Sequence, residues 1–377
     1  MIDYDRILRN DEKAVYRLRE LFGNYGYRRF KTGKFEEYEL YAENKDFLGE
    51  DGILTFTDAR GKLMALKPDV TLSIAKMAEP LPGEAQKFCY DDEVYRLSGE
   101  YGDFREITQT GIECIGDIGS YDVCEVILLA VRSLALIDEN YVMDLSHMGI
   151  VRALASLLNL SKEAERKVLQ CIGEKNFHGA AEICRKQGVP EKMIRRLRKL
   201  ITTYGPIDEV VGELDQLAVN NTMRRAVGEL KVLVSALKAQ KLEKNVRFDF
   251  SAVNDMGYYN GVIFQGFIKG IARPILAGGR YDNLMEVMGK ESAGAIGFSI
   301  SMDSLEELNR VRRDIDVDVV ILDQPWEDLN QLNQVVRDYT DRGLSVSVQK
   351  RVPKKLRYRE LVRIENGEVK TVERRLT

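Results

Sequence analysis

Two adjacent tyrosines, Tyr258 and Tyr259, lie in the stretch FDFSAVNDMGYYNGVIFQGF, which begins at Phe248. Apolar and polar residues alternate on either side of a small polar turn, which predicts β structure around the pair. A phenol hydroxyl can donate and accept hydrogen bonds, so two of them suit a polar ligand. A tyrosine on a half-buried strand is nevertheless more often a packing residue, and the pair alone does not define a site.

The composition is that of a globular protein. Of 377 residues, 44% are apolar and 31% are charged, which indicates two or three domains. The formal net charge of −4 argues mildly against a dedicated nucleic-acid binder. No window approaches the roughly 20 apolar residues that a membrane-spanning helix needs, so a cytoplasmic protein without membrane contact is predicted.

The cysteines and the basic tail are the other reactive or charged features. The cysteines are odd in number and form no C-x-x-C pair, which predicts free thiols in a reducing compartment and no metal site. They are Cys89, Cys114, Cys124, Cys171 and Cys184. The basic residues of the tail are Lys350, Arg351, Lys354, Lys355, Arg357 and Arg359. A solvated surface is the simpler interpretation of the tail, and contact with a partner or a nucleic acid is the alternative.

The elements that must position these residues mix helices with antiparallel strands. The segments KFCYDDEVYRL and REITQTGIECIG alternate with period 2 and predict a long hairpin, and ILTFTDARGKLMAL predicts a shorter hairpin that turns at DARG. VRFDFSA and YYNGVIFQGFIKG are predicted to form a third hairpin. Residues 11–22 have helical spacing, and Gly23 and Gly26 are expected to end that helix.

The chain is predicted to hold one large and one small region. Residues 1–313 form an α+β core, interrupted at about residues 161–244 by a helical insertion without a strand signal. Residues 314–377 form a small C-terminal α/β region, in which strand, helix and strand precede the basic tail.

Taken in order, several segments resemble motifs of class II aminoacyl-tRNA synthetases, specifically histidyl-tRNA synthetase, over about residues 1–310. They are LKPDVT, VYRL with FREITQTGIE, GGRYDNL with GAIGFSISMDSL, and the tyrosine stretch described above, which is similar to the family's histidine-recognition motif. The resemblance implies the class II fold, an antiparallel sheet flanked by helices.

The resemblance also implies a histidine-binding pocket. Its residues would be Asp69, Thr71, Arg96, Gln109, Glu113, Tyr258 and Tyr259. Carboxylates, an amide and phenols together suit a zwitterion with a polar ring, and the tyrosine hydroxyls can hydrogen-bond an imidazole nitrogen. Asp69 stands where the family has a glutamate, one methylene longer.

Departures from the family argue against catalysis. Asn254 and Ser304 stand at the positions of two family arginines, where positive charge stabilises adenylate formation. Losing one such donor typically lowers the rate by a factor of about a hundred to a thousand. Ser98 replaces a family glutamate, and the loop toward Arg105 is shortened. We therefore predict that no residue of this chain is catalytic.

A synthetase-like core with this pocket and without those arginines resembles the regulatory subunits of ATP phosphoribosyltransferase. Only some sixty residues follow Arg313, fewer than an anticodon-binding domain requires, so tRNA is not expected as a partner. The resemblance implies a short catalytic ATP phosphoribosyltransferase subunit as partner, histidine as effector, and a homodimer within a hetero-oligomer, without cofactor. Gly33 stands at a family proline of the dimer motif, and glycine loosens a backbone that proline would fix. A divergent histidyl-tRNA synthetase is the alternative.

Overall fold

The structure is a computed structural model that describes residues 8–48, 52–98, 103–250, 258–307, 315–322, 329–365 and 368–375. They fall into two compact units, one within Met1–Asn309 and one within Arg310–Thr377. The first unit combines a large sheet with helices, which confirms the α+β prediction.

The first unit contains one large sheet and one small sheet. Its strands are β1 (Arg28–Arg29), β2 (Phe35–Glu37), β3 (Thr55–Thr57), β4 (Leu63–Leu66), β5 (Ala85–Ser98), β6 (Asp103–Gly116), β7 (Tyr141–His147), β8 (Tyr204–Pro206), β9 (Val246–Asp249), β10 (Val262–Ile268), β11 (Leu276–Arg280) and β12 (Gly294–Ser301). The large sheet has the order β1-β5-β6-β12-β11-β10-β7-β9-β8, and β2, β4 and β3 form a small sheet.

The long predicted hairpin is confirmed. β5 and β6 are antiparallel over 14 residues each, from Ala85 opposite Gly116 to Ser98 opposite Asp103. β12 pairs with the other edge of β6. Because β6 has a partner on both edges, it is a central strand whose side chains are held in a fixed register.

Helices lie on both faces of this sheet and build the helical insertion. They are α1 (Asn10–Asn24), α2 (Tyr38–Glu43), α3 (Thr71–Met77), α4 (Ser120–Ile137), α5 (Met148–Leu157), α6 (Lys162–Gly173), α7 (Phe177–Lys186), α8 (Glu191–Thr202), α9 (Ile207–Leu217), α10 (Asn221–Ala239) and α11 (Asp282–Val287). Phe22 of α1 and Val131 of α4 share a core with Ile112 and Cys114 of β6. A second, smaller core contains Ile115, so neighbouring residues of β6 face different cores.

Short-range predictions are confirmed where turn chemistry sets the structure. β3 and β4 form the shorter hairpin, and Asp58 Oδ1 accepts hydrogen bonds from the backbone N–H groups of Arg60 and Lys62 in its turn. Helix α1 ends shortly before Gly26, whose φ of +80° favours glycine.

The third predicted hairpin is wrong. β9 does not pair with β10, because β7 lies between them, parallel to β9 and antiparallel to β10. Closeness in sequence predicts closeness in a sheet only as a tendency. Here the mostly buried strand β7 needs partners on both edges, and β9 and β10 supply one each. The connection at residues 251–257 lies outside the described residues.

The helical insertion carries helices α6 to α10, as predicted, together with one strand that was not predicted. β8 pairs antiparallel with β9 at the edge of the large sheet. It has only three residues, and two of them are Gly205 and Pro206. Alternation cannot be recognised over three residues, and glycine and proline usually indicate a turn.

The C-terminal unit has its own sheet, with β13 (Val317–Leu322), α12 (Leu329–Asp341), β14 (Val346–Gln349), β15 (Tyr358–Glu365) and β16 (Glu368–Arg374). The strand order is β14-β13-β15-β16. The predicted strand, helix and strand correspond to β13, α12 and β14. The basic tail, for which no element was predicted, continues into the antiparallel pair β15 and β16.

Candidate ligand-binding site

The centre of the site is Glu113, a carboxyl group buried in the middle of the large sheet. Glu113 lies on β6 directly opposite Gly297 of β12, and its side chain is only 2% exposed. A Cβ atom at position 297 would lie 1.7 Å from Glu113 Oε2. The glycine therefore leaves the space in which the carboxyl group lies across the neighbouring strand.

Two hydroxyl groups hold the carboxyl of Glu113. Thr71 Oγ1, at the start of α3, donates to Oε1 at 2.6 Å, and the Tyr281 hydroxyl donates a short hydrogen bond to Oε2. Burial raises the pKa of Glu113 to about 8, the negative charge of Asp69 adds to this rise, and the two hydrogen bonds oppose it. The site thus contains an acid that titrates near neutral pH.

Asp69 and Arg96 form the charged side of the site. Asp69 Oδ1 accepts a hydrogen bond of 2.8 Å from the backbone N–H of Leu72 in the first turn of α3. Burial raises the pKa of Asp69, although the positive charge of Arg96 opposes this rise. Arg96 Nε donates to the carbonyl oxygen of Pro68 at 3.0 Å, so the arginine is tied to the loop that carries Asp69.

The tyrosine pair lies against this polar group. The ring centroids of Tyr258 and Tyr259 are 4.7 Å apart, and the Tyr258 ring lies 5.3 Å from that of Tyr281. Burial raises the pKa of Tyr258 and of Tyr281 well above its ordinary value. Both phenols are therefore neutral at physiological pH and can donate hydrogen bonds. The structure thus brings Tyr258 of the opening motif near Glu113 and packs Tyr259 against Tyr258.

Gln109 occupies a more distant position. It lies on β6 four residues before Glu113, and so on the same face roughly 13 Å along the strand. Its neighbours across the sheet are Asp92 and Ser301. The predicted residues therefore split into a compact group around Glu113 and one amide farther along the face.

Two tyrosines of the site were not predicted. Tyr281 contacts Glu113 directly, and the buried Tyr90 lies so close to Gly111 that a Cβ atom there would be 2.6 Å from its hydroxyl. Tyr281 is the tyrosine of the GGRYDNL motif, so that motif contained a signal for it. Tyr90 stands in an alternating strand without any local feature that distinguishes it from a packing residue.

The structure describes Ser304, which the motif resemblance aligns with a family arginine. Ser304 is only 1% exposed, and its hydroxyl lies 3.2 Å both from Arg273 Nε, which donates to it, and from the Ser301 hydroxyl. The assignment of this position to a family arginine stays a prediction. Asn254, the Ser98 side chain and the loop at residues 99–102 lie outside the described residues.

The basic tail is only partly neutralised. Arg357 pairs with Asp316 at 2.7 Å, and Arg359 lies 3.5 Å from Asp318. The remaining basic residues of the tail are exposed, and none forms an ion pair within the described part of the chain. They are Lys350, Arg351, Lys354 and Lys355. Both interpretations of the tail, solvated surface and partner contact, stay predictions.

The cysteines are all unpaired, and only Cys171 is not fully buried, as predicted for free thiols. Within the described residues, no helix is both long and apolar enough to cross a membrane.

Comparison with known proteins defines the class. The family described as Histidyl-tRNA synthetase matches residues 5–305. A solved structure described as an ATP phosphoribosyltransferase regulatory subunit/histidyl-tRNA synthetase from Bacillus halodurans C has the same fold, with a TM-score of 0.74 and 24% identity. The likeness covers 93% of this chain and 90% of that chain. The chain belongs to the histidyl-tRNA synthetase family, and the class II fold is confirmed.

Comparison with relatives of similar sequence narrows the family assignment further. The ATP phosphoribosyltransferase regulatory subunit of Thermoanaerobacter sp. (strain X514) is 30% identical over 331 residues, which are 86% of this chain and 84% of the relative. Within the larger family, the chain thus belongs with the ATP phosphoribosyltransferase regulatory subunits. A second solved structure, described as the ATP phosphoribosyl transferase (HisG:HisZ) complex from Thermotoga maritima, has a TM-score of 0.61 and 22% identity. The likeness covers 78% of this chain and 97% of the matched chain in that structure.

Proposed function

We propose that this chain is a non-catalytic regulatory subunit that activates a short ATP phosphoribosyltransferase and makes it sensitive to histidine, in the first step of histidine biosynthesis. The observation that carries the proposal is the 30% identity with a curated regulatory subunit over 84% of its length. The fold likeness to a chain of the HisG:HisZ complex supports it. The proposed compartment is the cytoplasm, and neither a cofactor nor tRNA is required.

Reconstitution tests this function. A short catalytic subunit should co-elute with the chain, gain activity on mixing and become inhibitable by histidine. Activity that does not depend on the chain would contradict the regulatory role.

We propose further that histidine binds the pocket around Glu113. The support is chemical: two carboxyl groups, Asp69 and Glu113, suit an ammonium group, and the phenol hydroxyls of Tyr258 and Tyr259 suit an imidazole. Glu113→Gln should weaken binding by about 1.5 to 3 kcal/mol at pH 8, because a charge-assisted interaction is lost. Tyr259→Phe should cost about 0.5 to 1.5 kcal/mol, since one neutral hydrogen bond is removed. Calorimetry on the isolated chain and on the complex measures both losses. Unchanged affinity and inhibition in both variants would move the effector site to the subunit interface.

We propose that the chain does not form histidyl-adenylate. The buried serine at position 304 and the sequence assignment of Asn254 support this, because both positions would need a positive charge. Purified chain should therefore show no histidine-dependent exchange between ATP and pyrophosphate. Arginine at both positions should not restore exchange, because Ser98 and the shortened loop also alter the nucleotide side.

A divergent histidyl-tRNA synthetase is the second candidate, and the observation in its favour is the family match over residues 5–305. Exchange at a rate comparable with that of a genuine synthetase would establish it. A neighbouring gene for a short ATP phosphoribosyltransferase would support the regulatory role instead.

The chain is also proposed to form a homodimer within the hetero-oligomer. The small sheet exposes Phe35 by 57% and Phe56 by 38%, and the two rings pack with centroids 5.2 Å apart. Exposed aromatic side chains on a short sheet are a reason to bury that surface against a partner. Light scattering of the isolated chain at micromolar concentration should give at least a dimer, and a monomer that fails to bind the catalytic subunit contradicts the proposal.

A further inference from the structure

The surroundings of Glu113 contain hydroxyl groups and acids and, among the described residues, no cation in contact with its carboxyl. Its direct partners are Thr71 and Tyr281. The other titratable groups that face it are Asp69 from the loop before α3, Tyr90 from β5 and Tyr258 from the segment before β10. Cys114, the next residue of its own strand, faces the opposite side of the sheet. The positive charge of Arg96 acts on Asp69 instead. The sequence of residues 251–257, outside the described ranges, contains no basic residue.

A carboxylate in such a place is costly, because a buried charge without a counterion loses hydration that two hydrogen bonds replace only in part. The neutral acid, in contrast, fits the same contacts. Tyr281 can still donate to one oxygen, and the hydroxyl of Thr71, once its hydrogen rotates away, can accept a hydrogen bond from the protonated other oxygen, since a hydroxyl is both donor and acceptor. The protonated carboxyl therefore keeps the same two partners without movement of their heavy atoms.

We infer that the empty pocket holds Glu113 as the neutral acid and that an ammonium-bearing ligand displaces its proton into solvent. The inference deepens the proposed function, on which the choice of histidine as ligand rests. On binding, the O–H bond of the carboxyl breaks and the proton goes to the buffer. The ligand ammonium, already protonated, then supplies the counterion that the carboxylate lacks. Histidine binding is thereby coupled to the release of one proton.

The coupling fixes the sign of the pH dependence. The pKa of Glu113 in the empty pocket is raised to about 8, so below this pH the ligand must displace a proton and binds more weakly. Histidine affinity should rise with pH, by at most about tenfold per unit, and level off near pH 8. The proposed regulator is therefore more sensitive to histidine at slightly alkaline pH.

Calorimetry in two buffers tests the proton count. Histidine is titrated into the full-length chain at pH 7 in phosphate and in Tris, whose ionisation enthalpies differ widely. The dependence of the binding heat on buffer should correspond to about 0.9 proton released, the protonated fraction of a group with a pKa of about 8. Glu113→Gln should bind more weakly and release no proton. Glu106→Gln, the same substitution at an exposed position of β6, is the matched control and should behave like the wild type.

The outcomes separate this inference from the proposed function. Histidine binding with no proton release overturns the inference and leaves the function intact, and release that persists in Glu113→Gln assigns the proton to another group. Infrared difference spectra of the ligand-free chain, wild type minus Glu113→Gln, give a second readout that needs no ligand. They should show the carbonyl band of a protonated carboxyl at pH 7, and its absence also overturns the inference.

Discussion

Glu113 can lie across the sheet only because a glycine faces it. A Cβ atom at residue 297 would lie 1.7 Å from Glu113 Oε2 and 2.4 Å from the backbone oxygen of Ile112. No rotation of a flexible side chain relieves the second contact, because it involves the backbone. Gly297 is therefore as much a part of the candidate site as the side chains around Glu113.

Gly297→Ala should accordingly damage both fold and pocket. We expect a loss of about 1 to 3 kcal/mol in the free energy of unfolding, the usual effect of overpacking, together with loss of histidine binding. Urea unfolding and calorimetry measure the two effects. Gly212→Ala in α9, where a Cβ atom would meet nothing within 4 Å, is the control and should stabilise by roughly 0.5 to 1 kcal/mol. Equal stability of both variants would contradict this account of the site.

The sequence motifs identified the acidic residues of the candidate site more completely than its tyrosines. Glu113, Thr71 and the tyrosine pair lie in segments with an ordered resemblance, and the structure places them together. Tyr90 and Gly297 lie far apart in sequence, and their closeness to Glu113 arises from the register of β5, β6 and β12. Register over such distances is a tertiary property, which local alternation does not determine.

At the scale of elements, the loop before α3 is held to β5 by an ion pair between a buried lysine and a half-buried aspartate. Lys67 is fully buried, and its Nζ lies 2.8 Å from Asp92 Oδ2 and also contacts the hydroxyl of Thr32. Burial alone would raise the pKa of Asp92, but the hydrogen bond and charge of Lys67 outweigh burial, so the pKa lies below its usual value. The backbone carbonyl of Lys67 accepts from the N–H of Tyr95 at 2.9 Å. These contacts fix the segment that presents Asp69 and Thr71.

Lys67→Met should therefore destabilise the protein by about 1.5 to 3 kcal/mol, because the half-buried Asp92 would lose its charged hydrogen-bond partner. The pKa of Asp92 is lowered by folding, so the pair stabilises above the unfolded value of about 3.9 and its contribution disappears as pH falls through the folded value. Chemical denaturation at pH 7 and below pH 4 should show the gap between variant and wild type closing. Lys34→Met removes an exposed partner of Glu93 and should change stability far less. A pH-independent gap would show that the lost packing of Lys67 dominates.

The strand predictions were correct where the alternating pattern was long or where a local turn motif joined the two strands. Alternation over 11 and 12 residues identified β5 and β6, and a turn with Asp58 and Gly61 identified the hairpin of β3 and β4. The partners of β9 could not be inferred, because parallel pairing with β7 joins segments about a hundred residues apart. β15 and β16 were missed because their frequent charged residues hide the alternation, and β16 is exposed along its whole length.

At the scale of the whole molecule, a chain that binds histidine without reacting with it can act only through binding energy. A ligand shifts an equilibrium between two assembled states only if its affinities for them differ. By the same thermodynamics, the effect is reciprocal: assembly changes the affinity for histidine by the factor by which histidine changes the affinity for the partner. The proposed regulatory role therefore predicts that two separately measured affinity ratios are equal.

We expect histidine to bind the free chain and the assembled complex with affinities that differ at least about fivefold, the lower end of typical allosteric coupling. Saturating histidine should change the affinity of the chain for the short catalytic subunit by the same factor. Calorimetry gives the first ratio, and titration of labelled catalytic subunit gives the second. Glu113→Gln should remove both shifts and the inhibition while leaving co-elution intact, because the carboxyl lies in the sheet interior and not at a surface. Glu106→Gln should preserve all three. If the Glu113→Gln complex keeps wild-type inhibition by histidine, the effector acts on the catalytic subunit or at the interface, and the pocket around Glu113 serves only the fold.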